Sequence, residues 1–138
     1  MVSPKAVILG VVTVVLVGVL FSIAAPPYEL FFSRQLVSEG GSLNTILEKM
    51  YWPATIFTWV GIFAAFSLGS FVAMRFSRLA NHHDAIAVVS LLLALVWVTR
   101  LLSGVENLPG LAAYTVVALI GGFVGAKFAR RRQIAESS

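Results

Sequence analysis

Four long apolar runs, each closed by turn-forming or charged residues, organise this sequence. The first, Ala6 to Ala25, carries no charge and is rich in Val and Leu. Pro26-Pro27 is expected to stop it, because proline lacks the N–H that a helix interior requires. The second, Ala54 to Met74, is led in by Trp52-Pro53, where proline suits a first helical turn, and is bounded by Arg75 and Arg78. Asn81, with Asp84 three residues on, reads as a start signal for a third run, Ala85 to Ser103, which Gly104 ends. Pro109-Gly110 opens the fourth, Leu111 to Ala126, closed by Lys127 and Arg130-Arg131-Arg132.

A bilayer core about 30 Å thick takes roughly 20 apolar residues of helix. Each run is therefore read as a membrane span, at residues 6–25, 54–74, 85–103 and 109–126 of a single transmembrane domain covering 1–138. The expected fold class is an all-α membrane protein, a bundle of about four transmembrane helices. Lys5 before an apolar stretch ending Ser22-Ile23-Ala24 also resembles a signal peptide, but the run is long for one and Pro26 lies just past the cleavage position, so it is read as a retained span.

Between the first two spans, Gly40-Gly41 divides the largest connection. After Ser42 as N-cap, Leu43, Ile46, Leu47 and Met50 share one helical face opposite Asn44, Glu48 and Lys49. That pattern predicts a short interfacial helix in the first outer loop, serving as an anchor for the second span or as a lid or partner surface. Tyr28 to Val37 follows neither helical nor strand period, although Phe31-Phe32 calls for lipid or protein cover.

Composition agrees with the periodicity, since 59% of the chain is hydrophobic and 12% charged, where a soluble domain carries about twice that charge. Without cysteine there is no disulfide, thiolate metal site or iron–sulfur cluster to consider. The net charge of +4 points to no nucleic acid, because the basic residues flank apolar runs. Seven of them (Lys5, Arg75, Arg78, Lys127, Arg130, Arg131 and Arg132) fall on one side and three (Arg34, Lys49 and Arg100) on the other. The excess of Lys and Arg on the side of both termini predicts that the termini are cytoplasmic in a plasma or inner membrane. Trp52, Trp59, Trp97, Tyr28, Tyr51 and Tyr114 all map to the opposite half, as an aromatic interface belt would.

Candidate chemistry is sparse. Arg100 is the one charge within an apolar run, near the outer end of the third span. It is read either as an anchor whose long side chain snorkels to headgroups, stacking on Trp97, or as a functional group with Glu106 and Asn107. His82-His83-Asp84 holds metal-ligand residue types, but adjacent helical side chains diverge by about 100° and no further ligands accompany them, so a polar turn is expected and no metal or other cofactor. The first span holds no acid and the spans no asparagine, which sets aside the small multidrug exporters and the fluoride channels, whose function needs those groups in the membrane.

Inside the lipid the clearest pattern is one of small residues. Gly61, Ala65, Gly69 and Ala73 recur every four positions on the second span. On the fourth, Ala118, Gly122 and Ala126 run beside Gly121, Gly125 and Ala129, and Gly10, Gly18 and Ser22 form a weaker series on the first. Such stripes let helix backbones approach closely, whereas the Leu-rich third span reads as more lipid-facing. The Arg cluster at the C-terminus suits anionic headgroups as well as orientation. Together these features predict a small, non-catalytic accessory or structural subunit that contacts membrane lipids and packs on other membrane subunits or on copies of itself. The alternative is a homo-oligomeric transporter or channel-like protein for a small neutral or lipophilic solute.

The charge asymmetry makes a direct prediction about orientation. A cysteine replacing Ser38 is labelled by an impermeant thiol reagent in intact cells, and one replacing Ser137 is labelled only after permeabilisation; the reverse pattern means the charge count was misread.

Overall fold

In the computed structural model, which describes residues 2–40, 42–77, 82–104 and 107–137, the four apolar runs are the cores of four helices. They are α1 (Pro4–Ser38), α2 (Leu43–Phe76), α3 (His82–Leu102) and α4 (Leu108–Ser137). All four are long and apolar enough to cross a membrane. Of the sequence-derived boundaries, Gly41, Arg78, Asn81 and Glu106 lie outside the described residues. Gly104, with φ +78°, follows α3 in the left-handed conformation that glycine adopts without steric cost.

Three helices outrun their apolar cores. At 1.5 Å per residue the 35 residues of α1 reach about 52 Å, well beyond a 30 Å hydrocarbon layer. Pro26 and Pro27 do not end α1 but lie inside it, contrary to the sequence expectation. Their missing N–H groups free the carbonyls of Ser22 and Ile23, about 20 residues along the helix, where a span reaches the polar boundary and water can serve those carbonyls. Packing of α1 along α2 then outweighs the local cost of the two prolines.

Pro53 likewise sits within α2 rather than at its start. Residues 43–50, expected as a separate interfacial helix, are the first two turns of α2 itself. They begin where expected: Ser42 is the N-cap, and its side chain accepts from the Thr45 N–H at 3.4 Å. The helix continues because Pro53 frees only the Lys49 carbonyl, on an exposed turn. The C-terminal end of α1 and the N-terminal end of α2 thus form a helical hairpin that extends past the span-length core. On α4, helix also persists through the basic stretch to Ser137.

The small residues determine which helices touch. α2 is central, packing against α1, α4 and α3, while α1 and α4 do not meet among the described residues. Gly61, Ala65, Gly69 and Ala73 are all buried, as are Ala118, Gly121, Gly122, Gly125, Ala126 and Ala129. Gly10 of α1 and Gly69 of α2 approach reciprocally: a Cβ on either would stand 2.9 Å from the other's carbonyl oxygen. Between α2 and α4, a Cβ on Gly121 would stand 2.8 Å from the Phe63 carbonyl oxygen, and one on Gly125 would overlap the Ser67 carbonyl. The Ser67 hydroxyl donates to the Gly121 carbonyl at 2.9 Å across the same seam.

α4 therefore carries two stripes with different partners. Gly121 and Gly125 meet α2, whereas the Cβ missing from Gly122 would meet chiefly Val89 of α3, with Ser70 of α2 beside it at 3.2 Å. Val14, Phe66, Val88, Val89, Leu92 and Leu93 fill the interior around these contacts, and Met74 with Ala85, Ala126 and Ala129 forms a second cluster nearer the termini. The Leu-rich α3 is lipid-facing only in part, since Ala85, Val88, Val89, Leu92 and Leu93 are buried and Ile86, Leu91, Leu95 and Val98 are exposed.

Backbone against backbone cannot yield, so Gly125→Ala is expected to lose about 1–3 kcal/mol of stability. Gly18→Ala, with nothing within 4 Å of the new methyl, should be neutral or stabilise slightly. Reversible unfolding in mixed micelles measures both, and equal tolerance at the two glycines would show that the α2–α4 seam is not a tight contact.

Candidate functional site

No residue of α3 beyond Leu93 is buried, and a gap opens beside the half of α3 remote from the termini, although Trp97 still reaches Thr115 of α4. The gap is a cleft of about 860 Å³ between α2, α3 and α4, lined by Thr58, Trp59, Thr99, Arg100, Ser103, Asn107 and Tyr114 over a floor of Ile62, Val96 and Leu111. That volume is in the range of small-molecule sites. Arg100 is exposed on its wall. Among the described residues no acid pairs with it; Glu106, its expected partner, lies outside them.

The hydroxyls around Arg100 are already committed as donors. Thr58 donates to the Ala54 carbonyl at 3.0 Å, Thr99 to Leu95 at 3.0 Å and Ser103 to Thr99 at 2.8 Å. Toward the cleft they offer lone pairs, leaving the guanidinium as its strongest donor. Asn107 is placed by a structural task, because its Oδ1 accepts from the Gly110 N–H at 3.0 Å and so caps the start of α4. The Trp97 indole N–H donates to Thr115 at 3.0 Å, and Thr115 donates in turn to the Leu111 carbonyl at 2.9 Å. The aromatic belt is divided, with Tyr51 and Trp52 exposed and Trp59 and Tyr114 turned to the cleft. Tyr114 also packs edge-on against Phe66.

Behind the polar cleft lies an apolar chamber of about 390 Å³ between α1 and α2, with Val14, Phe21, Phe57 and Phe66 in its walls. Thr58, Ile62 and Tyr114 line both spaces. The pair is blind toward the termini, where Phe66, Leu92 and Ala118 are buried in the packed core. Such a site can hold a small molecule with an acidic or carbonyl group at Arg100 and an apolar remainder.

At the opposite end, Asp84 is fully buried and accepts from the Ser3 backbone N–H at 2.8 Å. It therefore joins the starts of α1 and α3, where both helix dipoles favour an acidic group. Sequence spacing suggested only a local role for Asp84, beside Asn81; the distance of 81 residues to Ser3 left no signal to find. His82 and His83 are exposed, so the His-His-Asp triplet divides between surface and interior.

Comparison with known proteins finds no matching family model, curated protein or solved structure, so function must be argued from the chain's own residues.

The two charges that sequence position made conspicuous and inconspicuous should behave oppositely. Asp84→Ala is expected to lose about 1–3 kcal/mol, the cost of leaving a buried donor such as the Ser3 N–H unpaired. Arg100→Leu, on an exposed wall, should leave stability nearly unchanged. Thermal unfolding of both variants in one detergent decides this, and comparable losses would mean that Arg100 is a structural tie.

Proposed function

We propose that the protein is a non-catalytic accessory subunit of a membrane complex, with its termini in the cytoplasm of a plasma or inner membrane, and that it engages its partner through the projecting α1–α2 hairpin. The observation that carries this reading is apolar surface placed where lipid does not reach. Counting about 20 residues of span from Lys5 and from Arg75 puts the end of the hydrocarbon near residues 25 and 55. Beyond it, Leu30, Phe31, Val37 and Leu47 are each about 60% exposed or more. Val37 stands about 18 Å past that boundary at the helical rise, outside the headgroup layer. Exposed apolar clusters in water mark protein contacts. The dispersion of titratable groups supports a non-catalytic role, since Arg100 lies at the hairpin end while His82 and His83 lie at the other.

A second reading, a homo-oligomeric carrier for a small lipophilic solute, is favoured by the cleft and its apolar chamber. Under it, Arg100→Lys and Arg100→Leu both abolish solute binding while partner recovery is unaffected, because an ammonium lacks the planar fork of a guanidinium.

Phe31→Ser with Leu47→Ser separates the two. The accessory reading expects insertion and bundle stability to persist while a partner co-purified in mild detergent is lost. Recovery of a monodisperse protein whose cellular role is indifferent to the hairpin substitutions but sensitive to Arg100 overturns it in favour of the carrier.

A further inference from the structure

At the end of the bundle that carries the termini, a groove of about 410 Å³ runs between α3 and α4. Its floor is made of small residues, Ala85, Gly122 and Ala126, and its rims are Ile86 and Phe123, exposed at 58% and 69%. From His82 to Ser90, both of which line it, the helix rises about 12 Å, so the groove continues from the mouth for more than two turns toward the bilayer centre. Val89 and Leu119 complete an almost wholly apolar lining.

The mouth has the opposite chemistry. His82 of α3 lines it, and Arg130 of α4 brings Nη1 to 3.5 Å from the imidazole Nε2, at the long limit of a hydrogen bond. No acid among the described residues joins this pair. Asp84, the nearest in sequence, is buried and turned to Ser3 of α1, and Glu136 is engaged by Arg75 of α2 at 2.8 Å. Two nitrogen groups from different helices thus converge at the polar end of an apolar furrow.

We propose that this groove is a binding site for an anionic phospholipid of the leaflet on the side of the termini: His82 and Arg130 hold the phosphate, and one acyl chain lies over Ala85, Gly122 and Ala126. The charge at the mouth selects the headgroup, since guanidinium and imidazole N–H groups can both donate to one phosphate oxygen or to adjacent ones. The small floor residues give the chain its depth. The second stripe of α4 therefore has a ligand as well as a helix neighbour. This inference stands apart from the hairpin reading, because it concerns the other end of the molecule.

Native mass spectrometry of protein extracted from bilayers of equal phosphatidylglycerol and phosphatidylcholine tests it. Wild-type protein is expected to retain phosphatidylglycerol at about fivefold or more over its share of the mixture, the effect of one favourable headgroup–cation contact. His82→Gln with Arg130→Gln should return the retained lipid to the mixture ratio. Ser90→Trp, or Ser90→Leu as a milder filling of the groove, should reduce retained lipid of both kinds although the cations remain. Arg131→Gln, which lines no part of the groove, should leave retention unchanged, and a thermal melt of each variant checks that the bundle is intact. Persistence of the enrichment in the double variant overturns the site. An equal loss in Arg131→Gln reduces it to a diffuse basic surface, and displacement of the lipid by millimolar inorganic phosphate alone would show that the groove contributes nothing.

Discussion

Lipid tails are as apolar as leucine, so nothing drives membrane helices together in the way that water drives a soluble core to collapse. The helices of this chain must approach until backbone meets backbone, and α2 is where they do so. On one side Gly69 faces Gly10 across a gap that would not admit a methyl group; on the other Gly121 and Gly125 lie against the Phe63 and Ser67 carbonyls. Because α1 and α4 do not touch each other among the described residues, each depends chiefly on its seam with α2, with only smaller contacts to α3 beside it. The cleft, the groove and the hairpin are all defined by where this close packing stops.

The same limit explains how much the sequence could reveal. A four-residue repeat of Gly and Ala is a local signal with a single physical use, so Gly61, Ala65, Gly69 and Ala73 announced a contact face directly. Proline is a local signal with a conditional meaning. Pro26, Pro27 and Pro53 would end helices that stood alone, but here they lie inside helices whose neighbours and polar boundary absorb the missing hydrogen bonds. The exposure of α3 beyond Leu93 depends on which residues its neighbours present, and Asp84 on a partner 81 residues away; neither leaves a mark within any window of sequence. Arg100 was conspicuous as an intramembrane charge, yet its cleft became apparent only with three helices in place.

Polar chemistry is concentrated at the two ends and assigned differently at each. At the hairpin end, Thr58, Thr99 and Ser103 turn their hydroxyl protons back to their own helices, leaving a cationic cleft with an apolar chamber behind it. At the terminal end, donors and acceptors are spent between helices: Gln133 donates to the Met74 carbonyl at 3.1 Å, Arg75 meets Glu136, and Asp84 meets Ser3. The exposed ion pair contributes little stability, whereas the buried carboxyl, one oxygen of which accepts from the start of α1 while the other has no partner, cannot be removed without leaving the Ser3 N–H unpaired.

The bond between Ser3 and Asp84 also imposes an order in time. The start of α1 has a backbone N–H paired with a residue made 81 positions later in the chain. At translation rates of about 5–20 residues per second, α1 spends roughly 4–16 s in the membrane before its cap has been synthesised. During that interval α2 is the one helix of this bundle already beside it, and the Gly10–Gly69 approach together with Phe21 packed on Gly61 and Phe57 can keep it in place. The α1–α2 pair is therefore the part of this bundle that must be stable as a biosynthetic intermediate, and α3 arrives to a site already half built.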